Sequence, residues 1–249
     1  MSGALGVVLA AGKGTRMESD APKVLVPACG RPLVEYVLDA ITTAGVDQLV
    51  VVVGYKADDV RAALSHRQNV SYVEQTEQLG TGHAVQVCME HLQDHDGPVL
   101  VVTGDSPMTR TDSIKALFDL YYEKRPACIL GTLKKDDPTG LGRIVRDVDG
   151  NFTGIVEHKD ATPEQLEINE VNMSTYVFDC KHLVSSLGKL QNNNKQGEFY
   201  ITDCPGILKS EGLDVQALPV LKPCEALSVN NLADLVAVEA EMKRLNLVE

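Results

Sequence analysis

Positive charge is scarce in this sequence. Its 249 residues include 23 Lys and Arg against 35 Asp and Glu, which gives a formal net charge of −12. An acidic surface repels nucleic acid and anionic lipid at long range. We therefore expect no nucleic-acid partner and no membrane partner. A phosphate ligand would need a local basic patch, whereas a small, metal-neutralised nucleotide remains compatible with the overall charge.

Paired cysteines are missing as well. None of the cysteines lies in a CxxC pair, and this spacing argues against a zinc cluster. Cys88 and Cys128 lie within apolar runs, which predicts buried free thiols. The six cysteines are Cys29, Cys88, Cys128, Cys180, Cys204 and Cys224.

Long apolar runs are absent too, and none approaches the length that crosses a bilayer. Met1–Gly3 lead directly into the first apolar run without a basic segment, so we expect no signal peptide. The sequence also has no repeat and no low-complexity segment. Its hydrophobic fraction of 44% and charged fraction of 23% are typical of a globular protein. We expect a cytoplasmic protein, in agreement with free thiols.

Short apolar runs alternate with helical periodicity in the first half of the chain. Buried strands separated by amphipathic helices predict a parallel sheet covered on both faces. Ligands of such sheets bind at the carboxyl ends of the strands, here the loops after Ala11 and Thr103. The predicted strands are 5–11, 49–53, 70–73, 99–103 and 128–133, and the predicted helices are 32–44, 57–64, 81–92 and 112–122.

The pattern changes near residue 137. Two alternating runs flank Asp149-Gly150, which is a hairpin signal. These runs predict an antiparallel insertion that forms a lid or second lobe on an α/β core. The second half is predicted to contain strands at 143–146, 152–156, 170–178 and 215–221, and helices at 180–190, 203–210 and 231–245.

A glycine-rich segment, LAAGKGTRM, follows the first predicted strand. It lacks the GxxxxGK[ST] of a P-loop, and it lacks the third glycine of a dinucleotide fingerprint, which argues against an NAD-dependent dehydrogenase. Its glycines still allow backbone N–H groups to approach an anion closely. Together with Lys13, Arg16 and Lys23 this turn suits a triphosphate. The alternative is a plain strand-to-helix turn with solvated basic residues.

Eight motifs carry a resemblance to a known family. They are LAAGKGTRM, APKVL, QLGTGHA, GDSP, DDPTGLGRI, GIVEHKDAT, NNNKQGEFYITD and SVNN. In order and approximate spacing they resemble the uridyltransferase domain of bacterial N-acetylglucosamine-1-phosphate uridyltransferase, a member of the sugar nucleotidyltransferase superfamily. The resemblance runs from about residue 5 to about residue 245. It implies a Rossmann-like nucleotidyltransferase fold, in which the antiparallel insertion forms a sugar-binding lobe.

The same resemblance implies an organisation and a reaction. The chain would be one domain, with a nucleotide-binding core at about 1–136, a sugar-binding lobe at about 137–225 and a closing segment at 226–249. Its substrates would be UTP and N-acetylglucosamine 1-phosphate, its products UDP-N-acetylglucosamine and pyrophosphate, and its cofactor Mg²⁺.

The resemblance also implies roles for individual residues. Arg16 and Lys23 would act on the triphosphate, and Asp105 and Asn230 would bind Mg²⁺. The nucleotide-binding residues would be Leu9, Ala10, Ala11, Gly12, Gly14, Gln75, Gly80 and Thr81. The sugar-binding residues would be Gly142, Glu157, Asn172, Tyr200 and Thr202.

The chemistry of this reaction needs these residue types. A sugar phosphate is already anionic at neutral pH, so no strong base is required, and catalysis consists mainly of positioning and charge neutralisation. Oxygen ligands suit Mg²⁺, which uses few protein ligands. Alternative interpretations remain for each residue: Asp105 and Asn230 are good helix caps, and Gln75 can be an exposed glutamine at a strand end. We expect His83 and His158 to be structural, because the mechanism needs no histidine.

Two departures from the family pattern affect these expectations. The family usually carries Asn-Thr-Gly where this chain has Asn172-Met173-Ser174, which leaves the sugar open. The sequence also contains no hexapeptide repeat, so we expect no acetyltransferase activity and a monomer or weak dimer. Two alternatives to the proposed reaction are transfer with another sugar or nucleotide, such as glucose 1-phosphate or dTTP, and a non-catalytic sugar-nucleotide sensor.

Overall fold

A mixed β-sheet covered by helices forms the centre of the molecule. The computed structural model describes residues 3–14, 17 and 20–248. The strands are β1 (Ala4–Leu9), β2 (Pro27–Ala28), β3 (Arg31–Pro32), β4 (Val46–Val53), β5 (Val70–Glu74), β6 (Pro98–Thr103), β7 (Cys128–Lys134), β8 (Arg143–Arg146), β9 (Phe152–Val156), β10 (Glu170–Asp179) and β11 (Val215–Leu218). The helices are α1 (Leu33–Thr43), α2 (Ala57–Ala63), α3 (Thr81–Gln86), α4 (Met89–Gln93), α5 (Thr111–Lys124), α6 (Pro163–Leu166), α7 (Cys180–Leu187), α8 (Asp203–Ser210) and α9 (Leu232–Arg244), with 3₁₀ helices at Lys23–Leu25 and Pro223–Ala226.

The strand order of the main sheet is β11-β7-β10-β6-β1-β4-β5. Strands β1, β4, β5 and β6 pair in parallel, and so do β7 and β11. Strand β10 runs antiparallel to both of its neighbours, β6 and β7. The hairpin β8–β9 extends the sheet beside β10. The predicted fold class, a mostly parallel α/β sheet flanked by helices with an antiparallel insertion, is confirmed.

Alternation along the central strands distributes the core over both faces of the sheet. In β1, Val7 packs into one apolar cluster with residues of α3, α7 and α8, whereas Val8 packs into another with residues of α1, α2 and α5. Successive side chains of a strand point to opposite faces, so both faces must be covered. This explains why the strands read as continuous apolar runs rather than alternating ones.

Helix α1 shows how local signals set the bounds of an element. Pro32 precedes its first residue, where a missing N–H costs nothing, and Gly45 follows its end with a φ of 103°. The apolar positions Leu33, Val37 and Ile41 are fully buried. The helix predicted at 32–44 is therefore confirmed.

The single helix predicted at 81–92 is wrong. The structure divides this segment into α3 and α4, with a turn at Val87 and Cys88. The N–H of Cys88 donates to the carbonyl of Val85, 3.0 Å away, while its thiol contacts the Ala84 carbonyl at 3.6 Å. The tightened turn shifts the hydrogen-bond pattern by one residue, and hydrophobic periodicity does not reveal such a shift.

All six cysteines are free; five are buried and Cys29 is half-buried. Within the part of the chain that the structure describes, none of the helices has both the length and the apolar character needed to cross a membrane.

Candidate active site

Four neighbouring parallel strands end at one cleft. Its volume is about 800 Å³. The loops that follow β1, β4, β5 and β6 all contribute to its walls, as expected for the carboxyl ends of parallel strands. Its lining residues are Gly12, Lys13, Gly14, Lys23, Gly54, Tyr55, Glu74, Gln75, Thr76, Gln78, Asp105 and Asn230.

Backbone hydrogen bonds beyond the ends of the strands hold these loops together. The N–H of Gly104 donates to the Leu9 carbonyl at 2.9 Å, and the N–H of Tyr55 donates to the Ala11 carbonyl at 3.1 Å. Ala10 donates to the carbonyl of Val52 at 2.9 Å. The side chains of Ala10 and Ala11 are buried beneath the cleft. The loop after β1 is therefore fixed between the loops of both neighbouring strands.

Lys23 joins two predicted metal ligands in the cleft. Its Nζ lies 2.6 Å from Oδ2 of Asp105 and 2.9 Å from Oδ1 of Asn230. The side chains of Lys23 and Asp105 are 14% and 24% exposed, so solvent screens this pair only in part. Gly14 supports the lysine: with a φ of 69°, it would place a Cβ only 2.6 Å from Cβ of Lys23. The absence of a side chain at Gly14 allows the stem of Lys23 to pack against the glycine-rich turn.

Neither Asp105 nor Asn230 is the N-cap of a helix. Helix α5 begins at Thr111 with Arg110 as its N-cap, well beyond Asp105. Helix α9 is capped by Asn231, whose Oδ1 accepts from the N–H of Asp234 at 3.0 Å. The donor set that Asp105 and Asn230 present is two oxygens converging on one cation. This chemistry fits Mg²⁺, which binds through few protein oxygens.

Across the described ranges 3–14, 17 and 20–248, His, Cys, Asp and Glu form no group of three or more suited to a metal. Of the other predicted phosphate contacts, Arg16 lies outside the described residues. Lys13 is described, and its Nζ lies 5.0 Å from the centre of the Tyr55 ring.

Gln75 is buried at the end of β5 rather than exposed. Its Nε2 donates to the Gly80 carbonyl at 3.0 Å and lies 3.1 Å from Nδ1 of His83. The interpretation of an exposed strand-end glutamine is therefore wrong, because the amide is held by the turn that follows. His83 orients Gln75, which agrees with a structural role for this histidine.

Gly80 and Thr81 connect the cleft to the segment around Tyr200. The N–H of Phe199 donates to the Leu79 carbonyl at 2.8 Å, and the N–H of Ile201 donates to Oγ1 of Thr81 at 3.1 Å. Gly80 has a φ of 108° and a ψ of 174°. A Cβ at this position would lie 2.5 Å from the Phe199 carbonyl oxygen. Only glycine permits this close approach of two backbone segments.

The five predicted sugar contacts form one cluster beside this connection. The N–H of Asn172 donates to the Gly142 carbonyl at 2.9 Å, and Oγ1 of Thr202 donates to Oε1 of Glu157 at 3.0 Å. Glu157 and Tyr200 line a second cavity of about 390 Å³, which shares no lining residue with the cleft. The structure thus brings the predicted sugar contacts together, and the two of them that line this cavity face a space separate from the one that Lys23 and Asp105 line.

The chain is similar to known proteins in both sequence and fold. Residues 6–196, which are more than half of the chain, match the family model of the MobA-like NTP transferase domain. The chain belongs to this family. The resemblance to a uridyltransferase domain is confirmed by curated relatives that are about 45% identical to this chain along nearly all of its length.

Two curated relatives are each about twice as long as this NTP transferase. It is 45% identical to the bifunctional protein GlmU of Clostridium beijerinckii over 243 residues, which cover 97% of this chain and 53% of that protein. Identity to the bifunctional protein GlmU of Clostridium acetobutylicum is 44% over 241 residues, covering 96% and 52%. The chain spans about half the length of the curated relatives it matches.

A solved structure confirms the fold of the NTP transferase. A UDP-glucose pyrophosphorylase complexed with UDP-glucose superposes with a TM-score of 0.78 and 18% sequence identity, covering 97% of this chain and 98% of that chain. At this identity the likeness concerns the fold alone.

The second cavity of the NTP transferase is acidic. Burial raises the pKa of Glu157. Burial, together with the negative charges of Glu157 and Asp160, raises the pKa of Asp203 to about 6. One carboxylate oxygen of Asp160 is buried without a hydrogen-bond partner among the described residues. Ionisation of Asp203 near neutral pH therefore destabilises the folded protein relative to the unfolded chain.

The raised pKa of Asp203 predicts a pH-dependent stability. In the folded protein the carboxyl of Asp203 holds its proton up to about pH 6, whereas its ordinary pKa is 3.8. The stability that the protonated carboxyl contributes is therefore fully present below pH 3.8 and is lost as the pH rises through about 6. We expect Asp203→Asn to stabilise the protein at pH 7 by roughly 1 kcal/mol, discounted for partial exposure, and to be neutral near pH 4. Urea unfolding across this range measures the difference. The exposed Asp149→Asn is the control, and equal effects of both variants would contradict the assignment.

Ser174 occupies a backbone conformation that favours glycine. Its φ is 52°, and the pairing of β10 with β7 shifts register between Asn172 and Tyr176. Within this irregular segment Oδ1 of Asn172 accepts from the N–H of Ser174, and Nδ2 of Asn172 donates to the Tyr176 hydroxyl at 2.7 Å. The sequence motif that departs from the family pattern thus has serine at the left-handed position, where the family usually has glycine.

We expect Ser174→Gly to stabilise the transferase by about 0.5–1 kcal/mol, because glycine adopts the left-handed region without steric cost but loses more chain entropy on folding. A rise of a few degrees in the thermal midpoint, roughly 2–4 °C, would report this gain. Ser174→Ala retains the Cβ and serves as the control. A midpoint of the glycine variant at or below that of wild type would contradict the prediction.

Several residues of the cleft were not identified from the sequence. Gly54 and Tyr55 follow β4, and Thr76 and Gln78 follow β5. The rule that ligands bind beyond the carboxyl ends of parallel strands applied to these loops as much as to those after Ala11 and Thr103. The strand predicted at 49–53 ends at Val53, as β4 does, so the loop that follows it can be located from the sequence.

Proposed function

We propose that this NTP transferase transfers a uridylyl group from UTP to N-acetylglucosamine 1-phosphate, releasing pyrophosphate and forming UDP-N-acetylglucosamine. The observation that carries the proposal is the convergence of Lys23, Asp105 and Asn230 in a cleft walled by Gly12 and Gly14. A cation and two oxygen ligands beside a glycine-rich turn are the components needed to handle a polyphosphate.

The proposed reaction is a substitution at the α-phosphorus of UTP. A phosphate oxygen of the sugar 1-phosphate forms the new bond to this phosphorus, and the bond to the bridging oxygen of pyrophosphate breaks. The attacking oxygen is already anionic, so the reaction needs no general base. The charge of the two anions must instead be neutralised, and Lys23 is placed to contribute to this. Asp105 and Asn230 would hold Mg²⁺, which neutralises phosphate charge when bound.

The nucleotide would bind in the cleft. Gly12 has open space where a Cβ would lie, which leaves room for a ligand against its backbone. The donors of the Gln75 amide are engaged by Gly80 and His83, so its carbonyl oxygen is the group left to accept a hydrogen bond. The N3–H of uracil is a donor of this kind. This supports a pyrimidine with a free imide N–H, which both UTP and dTTP carry.

The sugar would bind on the side of Glu157, Asn172 and Tyr200. The connection through Gly80 and Thr81 places this cluster next to the nucleotide cleft. Buried carboxylate and amide groups can distinguish sugars by hydrogen bonding. The motif Asn172-Met173-Ser174 keeps the asparagine of the family pattern, which supports a sugar contact at this position.

A substrate panel tests the proposal. Purified protein with Mg²⁺ is incubated with UTP or dTTP and with N-acetylglucosamine 1-phosphate or glucose 1-phosphate, and pyrophosphate release is measured. The highest kcat/KM is expected for UTP with N-acetylglucosamine 1-phosphate. A higher value for another pair would replace the substrates but keep the reaction. Binding of UTP without pyrophosphate release from any pair would show a sugar-nucleotide sensor.

A further inference from the structure

We propose that Lys23 is an internal substitute for the divalent cation. In the absence of metal its ammonium group holds the oxygens of Asp105 and Asn230, and it must leave them before a metal can bind there. This inference rests on the metal site of the proposed function. It adds that one side chain controls when that site becomes available.

The ammonium group of Lys23 lies at the two proposed metal ligands. Nζ of Lys23 lies 2.6 Å from Asp105 Oδ2 and 2.9 Å from Asn230 Oδ1, the same two oxygens that would ligate the metal. Nδ2 of Asn230 donates to Oγ of Ser228 at 3.1 Å, which turns Oδ1 of the amide toward Lys23. The two ligands are therefore oriented on a cation that belongs to the chain itself.

A divalent cation and the ammonium group of Lys23 cannot occupy the same two oxygens together. Mg²⁺ binds oxygen at roughly 2.0–2.1 Å, shorter than either distance to the ammonium group. A metal at the same two oxygens would stand next to the ammonium in a site that solvent screens only in part. Two cations so close repel each other strongly. Metal binding therefore requires the ammonium group of Lys23 to move.

The anchoring of Lys23 makes such a movement possible. Gly14 packs against the base of its side chain, where an added Cβ would lie 2.6 Å from Lys23 Cβ and 3.3 Å from Cδ. The stem is thus held at its base, whereas the ammonium end reaches into the open cleft. A triphosphate in the cleft would offer this end new anionic partners. The metal and the triphosphate should therefore bind together, and free metal alone should bind weakly.

Manganese binding without nucleotide tests this inference. Mn²⁺ is titrated into the intact protein, and free Mn²⁺ is measured by electron paramagnetic resonance. We expect Lys23→Met to bind Mn²⁺ at least tenfold more tightly than wild type, because no ammonium group must be displaced. Lys13→Met removes the same charge from the same cleft, but Lys13 contacts Tyr55 rather than the two oxygens. Its affinity for Mn²⁺ should stay within about twofold of wild type.

A second substitution locates the metal. Adding Asp105→Asn to Lys23→Met should remove the gain in affinity. Equal affinities of wild type and Lys23→Met would overturn the inference, and so would an equal gain in Lys13→Met or a gain that survives Asp105→Asn. Lys23→Gln, with a neutral side chain of similar reach, provides the same comparison if the methionine variant does not fold. Pyrophosphate release by wild type is measured separately, so the inference can fail while the proposed function stands.

Discussion

Replacing Asp105 with alanine is expected to lower kcat for pyrophosphate release about 10³-fold, equivalent to roughly 4 kcal/mol of transition-state stabilisation. The carboxylate lies at the carboxyl end of β6 and would provide a charged metal ligand. Its removal leaves Asn230 as the remaining ligand of the proposed pair. Steady-state kinetics at saturating UTP and Mg²⁺ measure the loss.

The fold should survive this substitution, because Asp105 caps no helix and forms its ion pair with the partly exposed Lys23. A partly exposed ion pair contributes about 1 kcal/mol or less to the free energy of unfolding. Asp119→Ala removes an exposed carboxylate from α5 and is the matched control. Turnover of the Asp105 variant near the wild-type rate, with an unchanged thermal midpoint, would remove Asp105 from the active site.

Replacing Gly80 with alanine is expected to destabilise the protein by about 3 kcal/mol and to lower kcat/KM. The backbone of Gly80, with φ of 108° and ψ of 174°, lies in a region that is essentially restricted to glycine and costs other residues roughly 1–3 kcal/mol. The new Cβ would also meet the Phe199 carbonyl oxygen at 2.5 Å. Relief of this clash must separate the two backbone segments that join the cleft to Tyr200. Urea unfolding and kinetics with both substrates measure the two effects.

Gly206→Ala is the control for this substitution. Gly206 lies within α8, and an added Cβ there meets no atom within 4 Å. Alanine should stabilise that helix slightly, by roughly 0.5–1 kcal/mol. If Gly80→Ala unfolds at the same urea concentration as wild type, the close approach at Phe199 does not constrain the chain.

The helices and strands of the parallel core are largely predictable from the sequence, because their burial follows from local apolar patterns. The strands of the parallel core and helix α1 follow from apolar runs and from flanking proline and glycine. The division of 81–92 into α3 and α4 was not predictable, since it depends on a one-residue shift in hydrogen bonding at Cys88. The insertion of β10 between β6 and β7 depends on pairing between distant segments, which local patterns do not encode.

Of the candidate site, the charged residues were predictable from the sequence, whereas the hydrogen bonds that orient Gln75 were not. The rule for parallel strands and the resemblance both pointed to Asp105 and Lys23, and the structure places them in contact. Asn230 depended on the resemblance alone, because Asn231 beside it is an equally good cap by sequence. The hydrogen bonds that engage the Gln75 amide were not predictable, since they require the turn that brings Gly80 and His83 back to β5.

The contact between Lys23 and Asn230 joins residues 207 positions apart. During synthesis on the ribosome, the parallel core that carries the glycine-rich turn emerges long before the second of these side chains. A nascent chain can therefore fold much of its sheet while the pocket for the cation is still incomplete. The pocket is completed only when the segment that carries Asn230 joins Lys23 and Asp105.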